Sequence, residues 1–129
     1  MQNLLYALIQ SLHNIGAAAI AGMSAAALGL PDLRKRIARW VAAVWALQGI
    51  SGLSFGITTY AFEKHLPDIH GIAVIALIIK MLCVASGLML ALYCMKANLT
   101  ERGQAIAWRT LLALGLIALL SAAFLRWYS

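Results

Sequence analysis

Four long apolar runs, separated by three short polar segments, dominate the pattern of the chain. The runs cover residues 4–30, 38–62, 71–95 and 105–126. Each run is long enough to cross the roughly 30 Å of hydrocarbon in a bilayer as an α-helix. Because the separators "PDLRKRIAR", "EKHLPDIH" and "MKANLTERGQ" are short, consecutive helices should be antiparallel. The pattern predicts an all-α fold, an integral membrane up-down four-helix bundle that forms one domain over residues 1–129.

Composition supports a lipid environment. Hydrophobic residues make up 64% of the chain and charged residues only 11%, whereas about 25% of residues are charged in ordinary soluble domains. The net charge of +6 comes mainly from Lys and Arg at the ends of the apolar runs. Membrane topology explains this distribution without a nucleic-acid partner. We therefore expect contacts with the lipid bilayer and with other membrane-protein subunits, and none with nucleic acid.

The charges of the separators predict an orientation. The first separator carries Arg34, Lys35, Arg36 and Arg39, and the third carries Lys96 and Arg102. Positive loops stay in the cytoplasm, so both termini and the middle separator should be periplasmic in a multi-pass protein of the bacterial inner membrane. We also expect aromatic anchors at the cytoplasmic interface, namely Trp40, Trp45 and Trp108.

His13 is the first candidate for chemistry, because it is an ionisable residue inside the first apolar run. It lies nine residues past Leu4, about 13 Å along the helix from the predicted periplasmic end. A neutral His can ligate haem iron or copper, or donate to a quinone oxygen. The alternative is an interhelical hydrogen bond to Gln48, a serine or a backbone carbonyl.

Lys80 is the second candidate and should lie at a similar depth, nine residues past Gly71. That depth is too far from either interface for its ammonium group to reach water easily. Lys80 should face the bundle on a stripe of small or polar residues with Cys83, Gly87, Ala91 and Cys94. It could neutralise a haem propionate, a quinone oxygen or an anion, or bond to carbonyls and hydroxyls of the second helix.

Gln48 lies on a face of the second helix with Gly52, Phe55 and Thr59, and Ser51 is beside it. This face could line a pocket, or it could be polar and small residues that bond helices together. The two cysteines and the methionines of the third run raise the possibility of copper binding, but core packing is the better explanation of them.

The middle separator "FEKHLPDIHG" contains His65 and His70 on either side of a proline. These two could bind a metal, relay protons or hold the edge of a haem. A solvated loop, with Asp68 at the start of the third helix, is an equally natural interpretation. A bis-His haem between His13 and His70 is not favoured, because their depths differ by about 13 Å.

Three segments, "LHNIGAAAIAGM", "WALQGISGLSFG" and "IHGIAVIALIIKMLCVASG", together resemble the membrane domain of the copper-resistance D family, which is similar in style to small b-type cytochrome bundles. The resemblance covers about 90 residues, and His13 and Lys80 are its matched positions. It implies a periplasm-facing bundle concerned with copper or a redox cofactor.

The sequence therefore leads to two hypotheses. In the first, the periplasmic half binds haem b or copper, with a quinone as a further candidate, in the membrane subunit of an electron-transfer or metal-handling complex. Here the cofactor-binding residues are His13, Lys80, His70 and Gln48, and the metal ligands would come from His13, His70 and His65. In the second, the chain is a cofactor-free accessory subunit. Neither hypothesis makes it an enzyme on its own.

Overall fold

The computed structural model describes residues 2–64 and 69–128, and over these residues the chain is a bundle of four α-helices. The helices are α1 (Gln2–Gly29), α2 (Arg34–Glu63), α3 (Ile72–Lys96) and α4 (Glu101–Tyr128). A short 3₁₀ turn, Pro31–Leu33, joins α1 to α2. The predicted all-α architecture is confirmed.

Neighbours in sequence are neighbours in space. Helix α1 packs on α2, α2 on α3 and α3 on α4, and α4 closes the bundle by packing on α1. In the described part of the chain α1 and α3 therefore face each other across the diagonal, as do α2 and α4. A residue of α1 reaches α3 only through the centre of the bundle.

All four helices are long and apolar enough to cross a membrane, which confirms the prediction of a multi-pass membrane protein at that level. Large aliphatic side chains point outward, for example Leu53 and Leu120, which are both more than 60% exposed. Small residues occupy the interior, including Ala27, Ala38 and Ala91. This arrangement suits a lipid solvent, because small residues let the backbones approach closely.

Two helices begin earlier than the hydrophobic pattern indicates. We expect helices from 38 and 105, whereas α2 begins at Arg34 and α4 at Glu101. Hydropathy marks only the part of a helix that crosses hydrocarbon, and both helices continue into the polar interface. The basic segment from Arg34 to Arg39 is thus a first helical turn and a half, and not a loop.

Arg34 fastens three helices together at this end. Its side chain is buried, and its Nε donates to the carbonyl oxygen of Ala27 at 2.9 Å. Its Nη1 donates to Oε1 of Glu101 at 2.7 Å. The C-terminal turn of α1, the first turn of α2 and the start of α4 therefore share one guanidinium group, whose fork geometry suits such bridging.

The predicted stripe on α3 faces the interior. Cys83, Gly87, Ala91 and Cys94 are buried, and Lys80 is partly buried. Gly87 marks a close approach of α2, since a Cβ there would overlap the Trp45 ring. On α2, by contrast, a Cβ at Gly52 or Gly56 would meet no atom within 4 Å. The tight contact between α2 and α3 thus depends on Gly87 and Trp45.

We predict that Gly87→Ala lowers the free energy of unfolding by about 1–3 kcal/mol, because the added methyl group must displace a buried indole ring. The matched control Gly52→Ala adds the same methyl group in open space and should retain or slightly raise the stability, because Ala favours a helix over Gly. Unfolding in mixed detergent micelles, followed by circular dichroism, measures both variants. Equal stability of the two variants would contradict this account of the α2–α3 contact.

Candidate functional site

The imidazole of His13 lies at the centre of the bundle, 5% exposed, between side chains of two other helices. Its Nδ1 is 2.6 Å from Oγ of Ser51 on α2. Its Nε2 is 2.8 Å from Nζ of Lys80 on α3. His13 and Lys80, for which the sequence predicts a similar depth in the membrane, thus contact each other directly and connect α1 to α3 across the diagonal.

The hydrogen-bond partners of His13 indicate which of its ring nitrogens carries the proton. The Ser51 hydroxyl donates to the carbonyl oxygen of Gln48 at 3.2 Å, so its oxygen is available to accept from Nδ1–H of His13. A neutral imidazole then has an unprotonated Nε2, which accepts a hydrogen bond from Lys80. If the His13 imidazole and the Lys80 amine were both in their protonated, charged forms, two cations would be in contact at this distance. The pair therefore holds at most one positive charge.

Gln48 forms a hydrogen bond with the backbone of His13. Its Nε2 donates to the carbonyl oxygen of His13 at 2.7 Å. Gly16, one turn further along α1, leaves space for this amide, because a Cβ there would overlap Gln48 Nε2. The backbone and the ring of His13 are therefore both held by α2.

Aromatic residues close one side of the imidazole. Phe55 meets the His13 ring edge-on at a centroid distance of 6.2 Å, and Tyr6 stacks on Phe55 at 6.2 Å. The Thr59 hydroxyl donates to the carbonyl oxygen of Phe55, so the Tyr6 hydroxyl donates to Thr59 Oγ1 at 3.0 Å. These contacts restrain the orientation of the His13 ring on the side toward Phe55 and Tyr6.

A small cavity of about 40 Å³ borders the His13–Lys80 pair. All four helices contribute to its wall, which includes Trp45 and Gln48 beside the pair. The α4 side consists mainly of small residues, Gly115, Ala118 and Ala122. A volume of this size holds about three water molecules, so the cavity admits the tip of a ligand and not a complete aromatic ring.

Sequence reasoning anticipated part of this site. His13, Lys80 and Gln48 are brought together, and Ser51 is the serine of the hydrogen-bond alternative. His70 is exposed immediately before α3 and is absent from the wall of the cavity. His65 lies outside the described residues. No group of three His, Cys, Asp or Glu side chains within residues 2–64 and 69–128 is arranged to hold a metal ion.

The position of Trp45 in the cavity wall was not anticipated. The aromatic-belt prediction is wrong for Trp45 and Trp108, which are 1% and 0% exposed, and agrees only with Trp40, which is 64% exposed. Both buried rings belong to the core, where indoles fill the space left by small residues on neighbouring helices. The pairing of Trp45 with Gly87 was a possible signal, since a buried large residue requires a small one opposite.

Comparison of the chain with protein-family models, with curated proteins and with solved structures finds no match.

We predict that Ser51→Ala lowers the free energy of unfolding by about 0.6–2 kcal/mol, the range for interhelical hydrogen bonds in membranes, because His13 Nδ1 loses its acceptor. Ser54→Ala is the matched control on the same helix, since the Ser54 hydroxyl donates to the carbonyl oxygen of Ile50 on its own helix. It should change the stability by less than the first variant. Detergent unfolding of both variants checks the difference, and equal losses would show that the Ser51 bond contributes nothing specific.

Proposed function

We propose that the chain is a membrane subunit that binds a redox-type ligand beside the His13–Lys80 pair, within an electron-transfer or metal-handling assembly. One observation carries the proposal, the 2.8 Å contact between two ionisable side chains in the interior of a membrane bundle. A Lys at the centre of a membrane helix costs about 2.5–3.5 kcal/mol on insertion. Such residues usually serve ligands, ions or protons.

Among the ligand classes that the sequence suggests, a quinone agrees best with the contacts. Both ring nitrogens of His13 already take part in hydrogen bonds, so a haem iron or a copper ion at His13 would replace Ser51 or Lys80. A quinone oxygen requires hydrogen-bond donors instead, and Lys80 retains N–H groups beyond the one given to His13. Haem b and copper remain the competing outcomes of the experiment below.

We place the site in the periplasmic half of a bacterial inner-membrane protein, with both termini periplasmic. The support is the charge of the connections, because Arg34 to Arg39, Lys96 and Arg102 all lie at the opposite end of the bundle. A cysteine introduced at Asn98 should resist a membrane-impermeant maleimide in intact cells, and one introduced at Tyr128 should react. The reverse labelling would contradict this orientation.

We predict that the protein purified in mild detergent carries extractable quinone, with no Soret band and no copper. Lys80→Met and His13→Ala should each reduce the quinone content at least several-fold, because the first removes a donor and the second removes the group that holds it. Lys96→Met, at the exposed end of the same helix, should leave it unchanged. Circular dichroism checks that all variants retain helix.

Other results of this experiment are equally decisive. A Soret band or bound copper that disappears in His13→Ala would replace quinone by haem b or copper as the ligand. The absence of quinone, haem and copper from the native protein would contradict the proposal.

The second candidate function, a cofactor-free accessory subunit, is favoured by a separate observation. Helix α1 carries an exposed stripe of small residues, Ala18, Gly22, Ala25 and Gly29. A Cβ at Gly22 or Gly29 would meet no atom within 4 Å. Small residues on the outside of a membrane helix allow another helix to approach. A ligand-free protein whose co-purification with a larger complex is lost in Gly22→Leu would favour this function.

A further inference from the structure

The indole N–H of Trp45 is a buried donor to which the described residues offer no acceptor. Trp45 is 1% exposed, and its Nε1 has no hydrogen-bond partner among the described residues. Buried indole N–H groups normally donate a hydrogen bond. Because Trp45 is part of the cavity wall, the missing acceptor is most simply an atom that occupies the cavity.

The charge beside this indole is also uncompensated. Lys80 lines the same cavity, and the described residues give its ammonium one hydrogen-bond partner, His13 Nε2. The sequence has four acidic residues. Asp32 lies in the 3₁₀ turn, Glu63 at the end of α2 and Glu101 at the start of α4, and Asp68 lies outside the described residues. Within residues 2–64 and 69–128, no acidic side chain of the bundle interior can therefore neutralise Lys80 as an ion pair.

The volume and the wall limit what can enter. A space of about 40 Å³ accepts a ligand tip of roughly one to three non-hydrogen atoms, since one water needs about 10–15 Å³. Asn14 on α1 and Leu119 on α4 belong to the wall and are exposed on the bundle surface. The cavity therefore extends toward the seam between α1 and α4, where the rest of a membrane-dissolved ligand would remain.

We propose that this cavity binds one electron-rich acceptor atom, which accepts hydrogen bonds from the Trp45 indole N–H and the Lys80 ammonium. The inference rests on the proposed function, in which the atom is a quinone oxygen. A free monovalent anion offers the same chemistry. Trp45 is then a binding residue, and His13 is a positioning residue that orients Lys80 through its Nε2.

The four tryptophans provide the experiment. Trp108 is a matched internal control, because it is also buried and its Nε1 has no hydrogen-bond partner in the described part of the chain, but it does not line the cavity. In protein labelled with ¹⁵N at the indole nitrogen, Trp45→Phe and Trp108→Phe assign the two buried resonances. Decylubiquinone is titrated in one arm and sodium bromide in the other. We expect a saturable downfield shift of the Trp45 indole proton with decylubiquinone, while the Trp108 proton stays in place.

Two variants test the partners of the indole. Lys80→Met should weaken the titration at least 10-fold. Ala118→Val narrows the cavity without changing any polar group and should have a similar effect, which keeps the inference testable if Lys80→Met does not fold. Ala113→Val, on the exposed side of α4, is its control and should titrate like the native protein.

The outcomes separate this inference from the proposed function. A saturable Trp45 shift with bromide alone supports the acceptor site and contradicts quinone as its ligand. Quinone that co-purifies with the protein while the Trp45 resonance remains unchanged overturns the acceptor site and leaves the proposed function standing. No shift in either arm, or an equal shift of Trp108, also overturns the acceptor site.

Discussion

The hydrogen bond between His13 and Lys80 is the constraint around which the interior of this bundle is organised. It joins α1 to α3 across the diagonal, where the two helices have no other close approach in the described residues. Each partner removes part of the other's cost in lipid, because the imidazole supplies an acceptor and the ammonium supplies a donor. Ser51 and Gln48 complete the arrangement from α2, so three helices must be in register for the pair to form.

The positions of small residues follow from this polar centre. Gly16 permits Gln48 to reach the backbone of His13, and Gly87 permits Trp45 to lie flat against α3. Gly115 on α4 meets Ile20 of α1, where a Cβ would come within 2.9 Å. Each glycine thus accommodates a larger side chain from a neighbouring helix. Steric fit of this kind replaces the hydrophobic effect, which gives little drive for association between helices in lipid.

The sequence predicted the elements better than their rotation. Apolar runs and short separators determined four antiparallel helices, and a rise of about 1.5 Å per residue was enough to match His13 with Lys80. The sequence could not show whether the Trp45 side chain faces lipid or the core, since both of these sides are apolar in these helices. Amphipathic periodicity, which orients helices in soluble proteins, is weak here. Helix ends at Arg34 and Glu101 were missed because hydropathy reports the lipid crossing and not the backbone hydrogen bonds.

The contacts of Arg34 limit where the helices of the bundle can separate. One guanidinium group ties α1, α2 and α4 at the basic end, and a hydrogen bond between Tyr6 and Thr59 joins α1 to α2 towards the other end. Because Arg34 links Ala27 of α1 to Glu101 of α4, it also closes the seam between these two helices at that end. Asn14 and Leu119, the exposed residues of the cavity wall, lie further along the same seam. A ligand that enters from the bilayer must therefore pass between α1 and α4 at a distance from Arg34.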